Sequence, residues 1–273
     1  MLDVLAIGAH PDDAELGCGG TLALLARAGR RVGLLHLTGG EAGTLGNAGE
    51  RHREAERAAE ILGAVELAFL DFGDGGLRTG VAEEEALIAE LRRLRPELVL
   101  APTPADRHPD HGRAHRLVAD ACFYAGLRKR GAGEPHRPAA MFAYMQHDPF
   151  EVAFVVDVSP VWEVKERALD AYESQIHRAG GATGRGAAQP GGAKTAGASP
   201  ATPATATGAA GAGATTAASA PLTKISTPEF RLAVAGRAQH FGLMIGAAYG
   251  EPFWSKLPLA VADPLALLPG GPR

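Results

Sequence analysis

The residues best suited to chemistry fall in two dense polar clusters. The first is His10-Pro11-Asp12-Asp13-Ala14-Glu15, followed by Gly17, Cys18, Gly19 and Gly20. The second is Asp106-Arg107-His108-Pro109-Asp110-His111. Histidine together with carboxylate is a common donor set for zinc and related divalent ions. In the first cluster His10 and Asp13 can face one crevice. A plainer role competes on equal terms there, with Asp12 or Asp13 serving only as a helix cap.

Each cluster follows a short apolar run, residues 4–8 and 98–101, of the kind shown by buried parallel strands. Each precedes a helical stretch, 21–28 after the glycines of the first and 112–124 after the second. If both strands are parallel, both clusters lie on the carboxyl edge of one sheet, where open α/β folds bind ligands. Two such clusters on one edge reduce solvated loop histidines to a minor reading. Further strands are expected over 31–38, 66–72, 141–145 and 153–158, and helices over 50–62, 83–94, 159–175 and 227–244. The alternation of strands and helices predicts a single Rossmann-like α/β domain: three layers, a mostly parallel sheet, and the site at the carboxyl edge of the strands.

The remaining composition narrows the class. The chain has 273 residues, 46% hydrophobic, with a net charge of -4, which gives no reason to expect nucleic acid or an anionic membrane as partner. Two cysteines, Cys18 and Cys122, make no disulfide framework, and no signal-like or membrane-spanning run is evident, so a cytoplasmic protein is expected. Residues 179–222 are dominated by Gly, Ala, Thr, Ser and Pro and read as a disordered insertion in the domain spanning 1–273. Residues 248–254 read as a compact aromatic loop. Structural roles are expected for Cys18, His36, His147 and His240, with His147 near enough to a strand end to approach the pocket. A nucleotide-binding Rossmann module is the competing class. Its turn requires glycines at the phosphate, and here His-Pro-Asp-Asp stands in that turn with two carboxylates that repel phosphate.

With Ala9-His10-Pro11-Asp12-Asp13-Ala14-Glu15 and His108-Pro109-Asp110-His111 both in view, the sequence resembles the LmbE-like (PIG-L) zinc deacetylase family. Residues 37–44, Arg51-His52-Arg53-Glu54-Ala55, Tyr172-Glu173-Ser174-Gln175 and Gly250-Glu251-Pro252-Phe253 extend the resemblance over nearly all but the insertion and tail. The last two pieces look most like the branch that deacetylates N-acetylglucosaminyl-malate in bacillithiol biosynthesis. The resemblance implies a hydrolase acting on a linear amide C–N bond, with Zn2+ or another divalent metal held by His10, Asp13 and His111 and a water at the open position. It implies Asp12 as general base, His108 as a charged oxyanion stabiliser held by Asp110, and Arg51 as the fork for a substrate carboxylate. Glu15 would lie behind the site or face solvent. The implied partner is a small N-acetylglucosaminyl molecule, in a homo-oligomer. Mycothiol precursors and chitooligosaccharides are alternative substrates for the same machinery.

Overall fold

A computed structural model describes residues 1–177 and 223–262. The insertion expected at 179–222 lies outside the described residues. The apolar runs form the strands β1 (Val4–Gly8), β2 (Val32–His36), β3 (Glu66–Phe69), β4 (Leu98–Ala101), β5 (Ala140–Tyr144), β6 (Phe154–Asp157) and β7 (Gly250–Trp254). Between them run the helices α1 (Asp13–Arg27), α2 (Ala48–Leu62), α3 (Val81–Leu94), α4 (Pro109–Ala125), α5 (Trp162–Asp170) and α6 (Pro228–Met244). The strands make one seven-stranded sheet in the order β3-β2-β1-β4-β5-β7-β6. All pairings are parallel except those of β7, which is antiparallel to both of its neighbours.

Alternate residues of β1 feed opposite faces of the sheet, as the two-residue period requires. Val4 and Ala6 join the core under α1, α2, α5 and α6, whereas Leu5 and Ile7 join the core under α3 and α4. The result is the three-layer arrangement expected from the sequence. The chain proceeds from β1 outward to β3, then returns to place β4 on the other side of β1. The crevice between their carboxyl ends is therefore a topological switch point, where no crossover covers the sheet edge. Both polar clusters leave the sheet there.

Three local expectations are corrected. Helix α1 begins at Asp13, not after the glycines, and is broken at Cys18 (φ −141°, ψ 17°). The glycines let it pack closely: a side chain at Gly17 would collide with the buried ring of Tyr144. The helix expected over 159–175 is a 3-10 turn at Ser159–Val161 followed by α5, and ends at Asp170. Residues 250–254 are a strand, not a loop. Gly, Glu and Pro are poor strand formers, so local propensity hid it. Pro252 is tolerated because pairing to β5 stops at Phe253, leaving no ladder bond to β5 for it to break.

The break in α1 is held by charge brought from far along the chain. Glu251 of β7 accepts the backbone N–H groups of Gly20 (2.9 Å) and Thr21 (2.7 Å) and the Thr21 hydroxyl (2.6 Å). It thus caps the second half of α1 as an N-terminal carboxylate would. Lys165 of α5 bonds both Glu251 (2.6 Å) and the freed carbonyl of Leu16 (2.9 Å). Lys165 and Glu251 are each only 2% exposed. This buried pair fixes the turn that carries Asp12, Asp13 and Glu15.

Candidate active site

Asp12 precedes α1 in the left-handed region (φ 102°), a conformation costing about 1–3 kcal/mol for a residue with a Cβ. Its side chain makes no capping bond, which removes the cap as its role. Arg51 of α2 holds this turn instead. Its Nη2 donates to the Asp12 carboxylate (3.1 Å) and to the Pro11 carbonyl, and its Nη1 to the Gly40 carbonyl (3.2 Å). Gly40 (φ 69°) must be glycine, because any side chain would strike that guanidinium. Arg51 is 4% exposed, so it is not a free surface charge, and it is one of the residues lining the cavity above this turn. Burial and the Asp13 charge push the Asp12 carboxyl up to about 7, with Arg51 acting against them.

Asp13 stands between the two clusters. Its Oδ2 accepts the His10 backbone N–H (2.8 Å) and lies 3.4 Å from His10 Nδ1, while its Oδ1 lies 3.3 Å from His111 Nε2. Burial opposes its charge, but His111 and His10 hold it ionised well below the usual carboxylate range. Burial also opposes charge on His111, yet Asp13 and Asp106 raise it to about 9. On the other side of His10, Nε2 lies 3.0 Å from Asp74 and 3.5 Å from Asp110.

These groups suit a divalent cation. Donor atoms of His10, His108 and His111 lie within 4.8 Å of one another, as do those of His10, Asp74 and Asp110. The buried His10 Nε2 lies close to the Asp74 and Asp110 carboxylates without an aligned hydrogen bond to either, and Asp110 Oδ2 has no hydrogen-bond partner. Unpartnered lone pairs and converging carboxylates are what a cation would satisfy.

The structure changes the expected role of Asp110. Its carboxylate accepts Leu77 N–H (3.1 Å) and Arg113 (2.8 Å) and does not reach the His108 ring. What Asp110 gives His108 is its backbone N–H, donated to Nδ1 (3.3 Å) at the start of α4. The ring is therefore a neutral tautomer protonated at Nε2. Burial and the nearby His10 and His111 lower its pKa.

Several site residues had only weak sequence signals. Asp74 and Gln146 follow β3 and β5, and strand ends on this edge could have flagged them. Gln146 Nε2 donates to Asp13 Oδ1, and its backbone carbonyl is held by Arg237 of α6. Glu15, fully buried, accepts the Tyr172 hydroxyl (2.7 Å) and lies 3.7 Å from His36. Ser174 bonds Glu54 through both its N–H and its hydroxyl, and Gln175 reaches the Leu45 carbonyl. The Tyr172–Gln175 stretch thus ties α5 to α1, α2 and the loop between β2 and α2. Above the cluster lies a cavity of about 360 Å³, with Asp12, Asp74, Arg107, His147 and Gln175 among its walls. That size suits a small ligand.

The fold and the site together define an α/β domain with a metal-competent cluster at the carboxyl edge of its sheet. The family model described as PIG-L, GlcNAc-PI de-N-acetylase, matches residues 5–122. A diacetylchitobiose deacetylase of Thermococcus kodakarensis is 37% identical over 189 residues, 63% of this chain and 70% of that protein. The 1D-myo-inositol 2-acetamido-2-deoxy-alpha-D-glucopyranoside deacetylase of Rhodococcus opacus is 28% identical over 239 residues, 63% of this chain and 81% of that protein. In structure, the conserved protein TT1542 of Thermus thermophilus superposes with a TM-score of 0.76 at 35% identity, covering 96% of this chain and 98% of that one. The chain belongs to the PIG-L (LmbE-like) deacetylase family. It is a hydrolytic N-deacetylase. No helix among the described residues is long and apolar enough to cross a membrane.

Proposed function

We propose that the protein removes the acetyl group from the 2-amino position of a small N-acetylglucosamine derivative. The observation that carries this is Asp12, held by Arg51 beside the His10, Asp13 and His111 cluster on the floor of a ligand-sized cavity. His10, Asp13 and His111 would hold a divalent metal, zinc being the ion their chemistry suits best. Such an ion supplies Lewis acidity, making hydroxide available near neutral pH and polarising a carbonyl. Asp12 takes the proton from the attacking water and returns one to the leaving amine. His108, protonated at Nε2, donates a hydrogen bond to the oxygen on which negative charge develops.

Two relatives are named for the acetamido sugars they deacetylate, diacetylchitobiose and an inositol glycoside of acetamidoglucose. They support the sugar class and favour these substrates over N-acetylglucosaminyl-malate.

The test measures acetate release by metal-replete protein from diacetylchitobiose, from the inositol glycoside and from N-acetylglucosaminyl-malate. Release from one of the three is expected, falling roughly 100- to 10,000-fold in Asp12→Asn while bound metal stays stoichiometric. No release from any of them by zinc-loaded protein, or undiminished release by the variant, would overturn the reading.

A further inference from the structure

The carboxylate of Asp106, its side chain 0% exposed, touches three parts of the site at once. Oδ1 accepts the His108 backbone N–H (3.1 Å) and lies 3.1 Å from His111 Nδ1, an ion-pair contact without hydrogen-bond alignment. Oδ2 accepts the backbone N–H groups of His147 (2.9 Å) and Asp148 (3.3 Å). His147 in turn stacks on His111, with rings 5.8 Å apart and 11° from parallel. The opposite ring nitrogen, His111 Nε2, faces Asp13 at 3.3 Å.

We infer that Asp106 is the positioning residue that gives His111 its metal-binding tautomer. A carboxylate against Nδ1 keeps the proton on that atom, so Nε2 presents its lone pair to the metal side of the ring. The same carboxylate makes the imidazole a stronger donor. Through His108 N–H and the 147–148 amides it also joins the loop after β4 to the loop after β5, which fixes the ring plane of His111. The geometry separates the two carboxylates next to His111: Asp13, facing Nε2, would share the metal with it, and Asp106 orients it from the Nδ1 side. The inference rests on His111 being a metal ligand, as proposed above.

The experiment titrates zinc against a competing chelator for the parent protein, His111→Ala and Asp106→Asn, with thermal melting of each metal-free form. Asparagine keeps one acceptor, which can serve the 147–148 amides, but sets its NH2 against the His108 N–H and His111 Nδ1, so both the charge and the second acceptor are lost. The inference expects Asp106→Asn to lose roughly 10- to 100-fold in zinc affinity, measured at a temperature where its metal-free form is still folded. His111→Ala should lose more. Parent-like affinity in His111→Ala would overturn the reading on which the inference rests. Loss in His111→Ala with affinity within about twofold of the parent in Asp106→Asn would overturn the inference alone. If Asp106→Asn does not fold, ¹⁵N-histidine NMR of the zinc-loaded parent decides the matter. A protonated Nδ1 with metal at Nε2 of His111 supports the inference, and the reverse assignment refutes it.

Discussion

The two faces of the sheet are built from different materials. Under α3 and α4 the core is Leu87, Ile88, Leu91, Leu117 and Val118 against Leu5, Ile7 and Val99. Among the described residues, the charge buried there away from the site is Arg92, which donates to the carbonyls of Ala125, Leu127, Ala132 and Gly133. Under α1, α2, α5 and α6 the apolar packing is threaded with ionisable groups: Glu15, Arg51, Glu54, Lys165, Arg231 and Glu251. Buried ion pairs contribute little net stability, because desolvation offsets their attraction. The charged face therefore adds geometry to its apolar packing: Arg51 bonds the turn bearing Asp12, and Lys165 with Glu251 holds the break in the helix that follows it.

Substitutions can break that contrast. The largest effect is expected from Glu251→Ala, which uncaps the second half of α1 and strands Lys165 in the interior. A loss of about 3–5 kcal/mol in urea unfolding is expected, with weakened metal binding by whatever protein remains folded. Leu91→Ala in the other core should cost about 2–5 kcal/mol through its cavity. Its folded fraction should bind metal as the parent does; weakened binding would show that the faces are not separable.

A third test uses pH on the charged face. His36 is fully buried, and desolvation lowers its pKa from 6.5 to about 3. The unfolded chain therefore binds a proton below about 6.5 that the folded chain refuses, so the His36 contribution is lost as pH falls. Relative to the parent, His36→Leu should gain about 2 kcal/mol between about pH 7 and about pH 5, read from urea midpoints. A pH-independent difference would show that His36 does not carry this linkage. The smallest effect is expected from Arg93→Ala, which removes half-exposed contacts to Glu66 and Glu90. Its cost in thermal or urea unfolding should stay below about 1 kcal/mol.

Much of this was legible in the chain. The apolar runs gave strands β1 to β6, because burial on both faces leaves a continuous apolar signature. His10, Asp12, Asp13, His108, Asp110 and His111 stood out because each cluster ends a strand and opens a helix, a purely local pattern. Strand β7 and the start of α1 were hidden, since glycine, glutamate and proline there disobey local propensity and depend on distant partners.

What the sequence by itself determined was the alternation of elements, the residue types at the carboxyl edge and the family. What only the tertiary structure decided was direction. Arg51 turns inward to Asp12, Asp110 turns to Leu77 and Arg113, and Asp106 turns to His111. Glu251 reaches back to Gly20, 231 positions earlier, and no local pattern can announce that contact. The physical reason is that a strand or helix is specified by its neighbours in sequence. The partner of a buried charge is specified by whichever opposite charge or free backbone group the packed layers bring within about 3 Å.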